Sequence, residues 1–169
     1  LSEETVQGLA GQLGAEPIVL SAKEANAIPS QRKTRCLHAL EEELTASAIM
    51  ARHQERSIAI CNTVGRAQAL FVDLCEVTGS GTEVRLLHSR FLQEDRAASE
   101  AWLRREFGKN RHEYTVGSAI LVATQVVEVG LDITSQVLHT ELAPAASVIQ
   151  RAGRCARYEK EEGDVYVYR

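Results

Sequence analysis

Short apolar runs recur along the chain at intervals that fit strands alternating with helices. PIVLSA (17–22), SIAIC (57–61), EVRLLH (83–88), SAILVA (118–123), QVLHT (136–140) and DVYVYR (164–169) are rich in Ile, Val and Leu and have strand length. Several are nearly continuous in apolar residues, the pattern of strands covered on both faces. Between them the period changes. Ala67, Leu70, Phe71, Leu74 and Cys75 follow an i, i+3, i+4, i+7, i+8 stripe, which predicts one buried helix face. Leu37, Leu40 and Leu44 begin a second stripe, with Glu41, Glu42 and Glu43 opposite it, and Trp102, Leu103 and Phe107 mark a third. This alternation predicts an α/β fold: a mostly parallel central sheet with helices on both faces. Residues 21–35, with Pro29, Ser30 and several basic side chains, read as a connector, and the polar, glycine-bounded stretch 108–117 reads as an exposed loop.

Composition narrows the class. With 169 residues, 44% hydrophobic and 25% charged, the chain is one domain, or one lobe of something larger, able to bury a full core. No apolar run approaches the ~18 residues that span a bilayer, and LSEETVQGLA lacks the basic flank and apolar stretch of a signal peptide. Cys36, Cys61, Cys75 and Cys155 form no CxxC and have no His at metal-ligand spacing, so they read as reduced thiols packed as small hydrophobes. His38, His53, His112 and His139 stand alone as ordinary surface or core residues. The formal net charge of −4 argues against binding a polyanion through bulk charge.

Against that acidic balance, IQRAGRCARYEK (149–160) places Arg151, Arg154 and Arg157 within seven positions, with no carboxylate before Glu159. Pro144, whose fixed φ suits a helix start, predicts a helix running through ASVIQRAGRCAR. At about 100° per residue, Gln150, Arg154 and Arg157 then fall within roughly 60° of one another, and Arg151 points elsewhere. Gly153 leaves room for another backbone or a ligand. Guanidinium groups grip phosphate oxygens in pairs, and one placed at a terminal phosphate acts as an arginine finger, worth ~10³–10⁵ in rate. The alternative is a solvated arginine face paired with Glu159, Glu161 and Glu162.

A second stretch, ILVATQVVEVGLDI (120–133), ends a buried strand at Ala123 and passes to Thr124, Gln125, Gly130 and Asp132. In parallel sheets, ligands gather at the carboxyl ends of strands. Thr124 can cap a following helical turn and help hold a phosphate, Asp132 can accept from a ribose hydroxyl, and Gly130 permits close approach. An N-cap and a turn glycine explain either residue singly.

Together, ATQVVEVGLDI and QRAGRCAR resemble motifs V and VI of superfamily-two helicases, in order and at the usual separation. SIAICNTVGRAQALF resembles motif IV, and LLHSRFLQEDR resembles the motif after it. HSRF, ATQVVEVGLDI and LAPAASVIQRAGRCAR are most similar to the CRISPR-associated helicase–nuclease of type I interference systems, over residues 57–169. The resemblance implies a second, C-terminal RecA-like lobe, a three-layer sandwich at 36–169, preceded at 1–35 by a segment and connector from the first lobe.

It also implies roles. Arg154 and Arg157 are similar to arginine fingers and Gln150 to the γ-phosphate sensor. Gly130 and Asp132 match positions facing the nucleotide, and Arg151 belongs to the same ATP site, reaching toward the other lobe. Thr124 and Gln125, Asn62 and Thr63, and His88, Ser89 and Arg90 match contacts to the nucleic-acid backbone. The implied ligands are ATP with Mg²⁺ and single-stranded DNA. The implied partners are the first lobe and nuclease domain of the same parent protein and a guide-RNA surveillance complex, in the prokaryotic cytoplasm, with no membrane.

A P-loop is missing, since the only Gly-Lys, Gly108-Lys109, is followed by Asn110 and has Leu103 where the first glycine belongs. No DExH-like acid pair or His-Asp metal cluster is present either, so no metal site is expected here. By the resemblance these belong to preceding lobes, and the opening LSEETVQGLAGQLGAEPIVLSA resembles the passage after motif III. The lobe alone is then an incomplete catalytic unit, inactive by itself. Two alternatives stand beside this reading: a lobe of an RNA helicase of the same superfamily, and a non-enzymatic docking module.

Overall fold

In the computed structural model the described residues are 3–17, 19–28, 33–89, 93–111, 117–128, 130–158 and 160–169. The chain divides into two compact units, Leu1–Arg32 and Lys33–Arg169. The first holds α1 (Glu3–Leu13) and α2 (Ala22–Ala27). Of the strand expected at 17–22, Ile18 lies outside the described residues; among those described, Val19 and Leu20 carry no regular structure and are 69% and 52% exposed, and Ala22 opens α2. A short apolar run makes a strand only where a neighbour pairs with it. Here a helix start wins instead, because the Ser21 amide and hydroxyl donate to the Glu24 carboxylate while Ser21 Oγ accepts from the Glu24 amide. The expected connector is therefore partly helical.

The second unit contains six parallel strands in the order β1-β6-β5-β2-β4-β3: β1 (Thr34–Leu40), β2 (Arg56–Ile60), β3 (Thr82–Leu87), β4 (Ser118–Ala123), β5 (Val137–Glu141) and β6 (Glu162–Tyr168). β2 and β4, in the middle, are buried along almost their whole length, as their unbroken apolar runs require. α3 (Ala46–Met50) and α4 (Val64–Val77) cover one face, packing Ile49, Leu70 and Leu74 on Ala59, Ile120 and Val122. α5 (Gln93–Phe107) and α6 (Ala145–Ala152) cover the other, where Trp102, Leu103 and Phe107 meet Ile58, Leu121 and Leu138. This is the three-layer α/β sandwich of a RecA-like lobe.

Two helical expectations fail for physical reasons. Leu37, Leu40 and Leu44 do not share a helix face, because Leu37 and Leu40 lie in β1 on opposite faces of the sheet. β1 is an edge strand paired only to β6, and Leu37 stays 64% exposed while Leu44 is 1% exposed. Cys75 lies on the outer side of α4 and is exposed, whereas the other members of its stripe face inward. Of the expected 108–117 loop, residues 112–116, including His112, lie outside the described residues.

Buried charges tie the lower ends of the strands together. Arg56, 3% exposed, pairs with Glu106 at 2.9 Å and donates to the carbonyls of Glu106, Glu55 and Gly117. Cys155, expected to pack as a small hydrophobe, is buried against the start of β6. A Cβ on Gly163 would stand 2.5 Å from Cys155 Sγ and 2.6 Å from the Gln136 carbonyl, so β6 can start beside this thiol only with glycine there.

Candidate nucleotide and strand sites

α4 begins where β2 ends. Thr63, in extended conformation, caps the helix, its hydroxyl accepting from the Arg66 amide at 3.3 Å. The first-turn amides ahead of Arg66 lack helical partners, and the positive end of the helix dipole lies there. Thr63 and Gly65 are both exposed, which leaves this end open to an anion such as a strand phosphate. Asn62 is engaged on every side. Its amide donates to Glu141 Oε2 (2.7 Å) and its Nδ2 to the Leu142 carbonyl (2.9 Å). Its Oδ1 accepts from Arg151 Nη1 (3.1 Å) and its carbonyl from Gln125 Nε2 (2.7 Å).

Thr124 follows β4 and is 3% exposed; a 3-10 turn comes next over Gln125–Val127, but the Thr124 hydroxyl makes no capping bond, contrary to the expected cap. Gln125 is exposed beside Asn62. His88 is half-buried and Ser89 exposed just past β3, while Arg90 lies outside the described residues. Asn62, Thr63, His88, Ser89, Thr124 and Gln125 thus all sit at the carboxyl ends of β2, β3 and β4.

The arginines occupy the opposite end of α6. The helix expected to continue through Arg157 stops at Ala152, with Gly153 as its C-cap. The chain then turns under β5, where the Ser135 amide donates to the Arg154 carbonyl and the Ala156 amide to the Ser135 carbonyl, both at 3.0 Å. Those bonds cost the helix its last turn and hold Ala156 at a φ of 43°, in the left-handed region. Arg154 and Arg157 accordingly do not share a helix face with Gln150, which is exposed on α6.

Each arginine has its own surroundings. Arg151, 1% exposed, turns into the lobe: its Nε donates to Glu128 Oε1 at 2.8 Å, and its Nη1 donates to Thr140 Oγ1, Asn62 Oδ1 and the Glu141 carbonyl. Arg154, 7% exposed, spreads its guanidinium over three carbonyls, those of Val127 (2.8 Å), Glu128 (2.6 Å) and Leu131 (2.5 Å). Burial, and then the charge of Arg157, lower its pKa from the ordinary guanidinium value. Arg157 is half-buried, its Nε donating to Asp132 Oδ1 at 2.6 Å.

The turn bearing Arg157 is braced from below. Its amide donates to Thr134 Oγ1, and the Thr134 hydroxyl donates to Glu161, which also accepts from Arg111 and the Tyr158 amide. Burial works to raise the Glu161 carboxyl, but the hydrogen bonds from Tyr158, Thr134 and Arg111 bring it below its ordinary value. Lys33 and Arg35 donate to carbonyls of the same turn.

One segment joins the two regions. Residues 124–134 run from the carboxyl end of β4 to the amino end of β5, with Thr124 and Gln125 at one end and Asp132 and Thr134 at the other. Arg151 and Arg154 pin the middle, one through the Glu128 side chain and the other through three carbonyls. Gly130 has a φ of 82° with nothing near a Cβ position, so backbone conformation, not crowding, calls for glycine there. A cavity of about 380 Å³ opens between this segment and α5, lined by His88, Ser89, Gly130 and Asp132 together with Arg104 and Leu131. Members of both candidate sets therefore share one wall. Sequence reasoning gave no site role to Glu128, Thr134 or Glu141, and named Glu161 only as a partner of a solvated arginine face; the acid set between valines in VVEVG was the one available signal.

Comparison with known proteins agrees with this architecture. The family model described as "CRISPR-associated nuclease/helicase Cas3, C-terminal" matches residues 53–160. The CRISPR-associated endonuclease/helicase Cas3 of Escherichia coli (strain K12) is 40% identical over 102 residues, 60% of this chain and 11% of that protein. The crystal structure of T. fusca Cas3–ATP superposes with a TM-score of 0.73 at 25% identity, over 91% of this chain and 19% of that one. A chain in a CRISPR RNA-guided surveillance complex, pre-nicking, superposes with a TM-score of 0.67 at 28% identity, over 82% and 19%. The chain spans 9% to 14% of the length of three curated relatives it matches.

Proposed function

This chain belongs to the family of Cas3 C-terminal helicase domains, and from that premise we propose that it is the second motor lobe of an ATP-driven translocase on single-stranded DNA in CRISPR interference. The observation that carries the reading is the pinned segment 124–134, with Thr124 and Gln125 beside the α4 cap at one end and Asp132, paired with the half-buried Arg157, at the other. Arg157 enters, as an arginine finger, an ATP site whose other wall and magnesium ligands lie outside this chain. Gln150, on the open side of α6, senses the γ-phosphate, and Gly130 and Asp132 face the nucleotide. Arg154 is the second finger. In the open lobe three carbonyls hold it, and closure on a triphosphate exchanges carbonyl oxygens for phosphate oxygens, which a planar five-donor group accommodates.

The strand passes the carboxyl ends of β2, β3 and β4, where the α4 amides, Thr63, Ser89 and Gln125 meet its phosphates. Binding by a few amides and hydroxyls suits an acidic lobe and leaves sequence unread. The first lobe and the nuclease domain come from the same parent protein, and the surveillance complex presents the strand in the prokaryotic cytoplasm. That T. fusca Cas3 is seen with ATP, and a related chain in a surveillance complex, supports this reading. By itself the lobe turns over no ATP.

The test is ATP turnover by the full-length protein with and without a single-stranded oligodeoxynucleotide, wild type against Arg157→Ala. Stimulation by DNA, lost by orders of magnitude in the variant while nucleotide binding persists, is the expected result. Equal turnover in both proteins would return Arg157 to the status of a solvated side chain.

A further inference from the structure

Glu128 touches both buried arginines, by its side chain and by its backbone. Its Oε1 accepts from Arg151 Nε at 2.8 Å, and its carbonyl accepts from Arg154 Nη2 at 2.6 Å. The side chains of Glu128 and Arg151 are 11% and 2% exposed, so their pairing is desolvated and little screened. Through Nη1 Arg151 also donates to Thr140 Oγ1, the Glu141 carbonyl and Asn62 Oδ1. Asn62 is the residue immediately ahead of the α4 cap, and its own amide is held by Glu141, whose other oxygen pairs with Arg66 in the first turn of α4. A continuous polar path therefore runs from the arginine-bearing turn, through Glu128 and Arg151, to the helix end that faces the strand.

Glu128 commits its Oε1 to Arg151 and its carbonyl to Arg154. Asn62, expected to bind the strand, has its amide, side chain and carbonyl all committed inside the lobe. A buried arginine with four acceptors, one of them a carboxylate, has few alternative positions, because any shift that loses Glu128 leaves a charge unpaired in a dry site. α6 carries Arg151 and leads directly into Arg154 and Arg157, so a displacement of these residues on the nucleotide is passed to Asn62 through Arg151.

We propose that Glu128 is a positioning residue, holding Arg151 against Asn62 so that the strand-binding end of α4 follows the arginine-bearing turn. The proposal rests on the motor reading given above and names the residue through which its two ligands communicate. Glu128 itself touches neither ATP nor DNA.

The experiment uses the full-length protein with Glu128→Gln, Asn62→Ala and the double variant, and with Arg157→Ala as reference. Glutamine keeps the volume and an acceptor for Arg151 but removes the charge, so the lobe stays folded, which thermal unfolding checks. In Glu128→Gln, turnover without DNA stays at the wild-type level, and stimulation by a single-stranded oligodeoxynucleotide falls roughly tenfold, within the range of coupling-network variants. The DNA concentration for half-stimulation rises. Effects of Glu128→Gln and Asn62→Ala on that concentration are non-additive, as residues on one path require. Additive effects, or unchanged stimulation with normal loss in Arg157→Ala, overturn the positioning role alone. Turnover indifferent to Arg157→Ala overturns the motor reading, and this proposal with it.

Discussion

Arg157 and Asp132 meet at 2.6 Å with side chains 36% and 68% exposed, while Arg154, three residues earlier, is sealed beneath the segment that carries Asp132. An ion pair so open to water contributes little, under ~1 kcal/mol, so Asp132 orients Arg157 without trapping it. Closure onto a triphosphate can take Arg157 from this carboxylate at small cost.

The first prediction follows from that openness. In the full-length protein, Arg157→Lys lowers kcat nearly as far as Arg157→Ala, on the order of 10³-fold, because an ammonium cannot span two phosphate oxygens. Asp132→Asn, by contrast, shifts kcat only a few-fold if its pairing with Arg157 is orientation alone. Steady-state turnover at saturating ATP measures both. A lysine variant with near-normal kcat would show that charge alone suffices at this position.

Arg154 carries a different expectation. Charge-assisted hydrogen bonds contribute ~1.5–3 kcal/mol each, and removing the donor leaves the carbonyls of Val127, Glu128 and Leu131 without it in a largely buried setting. Arg154→Ala therefore accelerates amide hydrogen exchange over residues 124–134 by at least tenfold, with little change in α4. Exchange in the full-length protein reads this directly. Arg154→Lys fails to restore protection, since one ammonium on a flexible stem cannot serve three divergent carbonyls.

The contrast between these two arginines marks the limit of what the residue pattern conveys. The central strands were legible because β2 and β4 are buried on both faces and their apolar runs are unbroken. α4 was legible because its inward stripe keeps helical spacing. β1 was not, because an edge strand with one partner and half-covered faces has no clean alternation, and Leu37, Leu40 and Leu44 imitate a helix by spacing alone. In the site, the string QRAGRCAR identified the arginines but not their directions. Whether a helix continues past Gly153 depends on whether Ser135, distant in sequence, offers its amide and carbonyl to the following turn. Glu128 was invisible for a related reason: a lone acid between valines acquires meaning only when a buried cation is brought to it.

Thiol chemistry offers a separate check on packing. Burial pushes the Cys61 and Cys155 thiols up to about 12, whereas Cys36 and Cys75 are exposed. Only thiolates react, so a maleimide at neutral pH labels Cys36 and Cys75 of this chain and spares Cys61 and Cys155 until denaturant is added. Intact mass after timed labelling gives the count. Early modification of Cys155 would contradict the close packing of the turn against Gly163.

The pH dependence of stability isolates one buried group. His139, fully buried on β5, has Nδ1 2.9 Å from the Tyr168 hydroxyl. Burial first, and then the charges of Arg52 and His53, bring its pKa from the usual 6.5 down to about 3. The folded state thus refuses a proton that the unfolded chain accepts. Above about 6.5 both states are neutral there and stability is complete. As pH falls below that value the unfolded state binds the proton first, and stability declines by up to ~1.4 kcal/mol per pH unit until the folded-state pKa is reached. His53, also lowered by burial and by Arg56, adds in the same direction. Carboxylates with lowered values, such as Glu161, enter only below about 4.5, so pH 5 to 6.5 belongs to the histidines. Denaturant titrations across that window should show a steeper slope for the wild-type chain than for His139→Gln, whose amide still bonds the Tyr168 hydroxyl but takes up no proton. Equal slopes in the two proteins would mean that His139 is open to water and titrates normally.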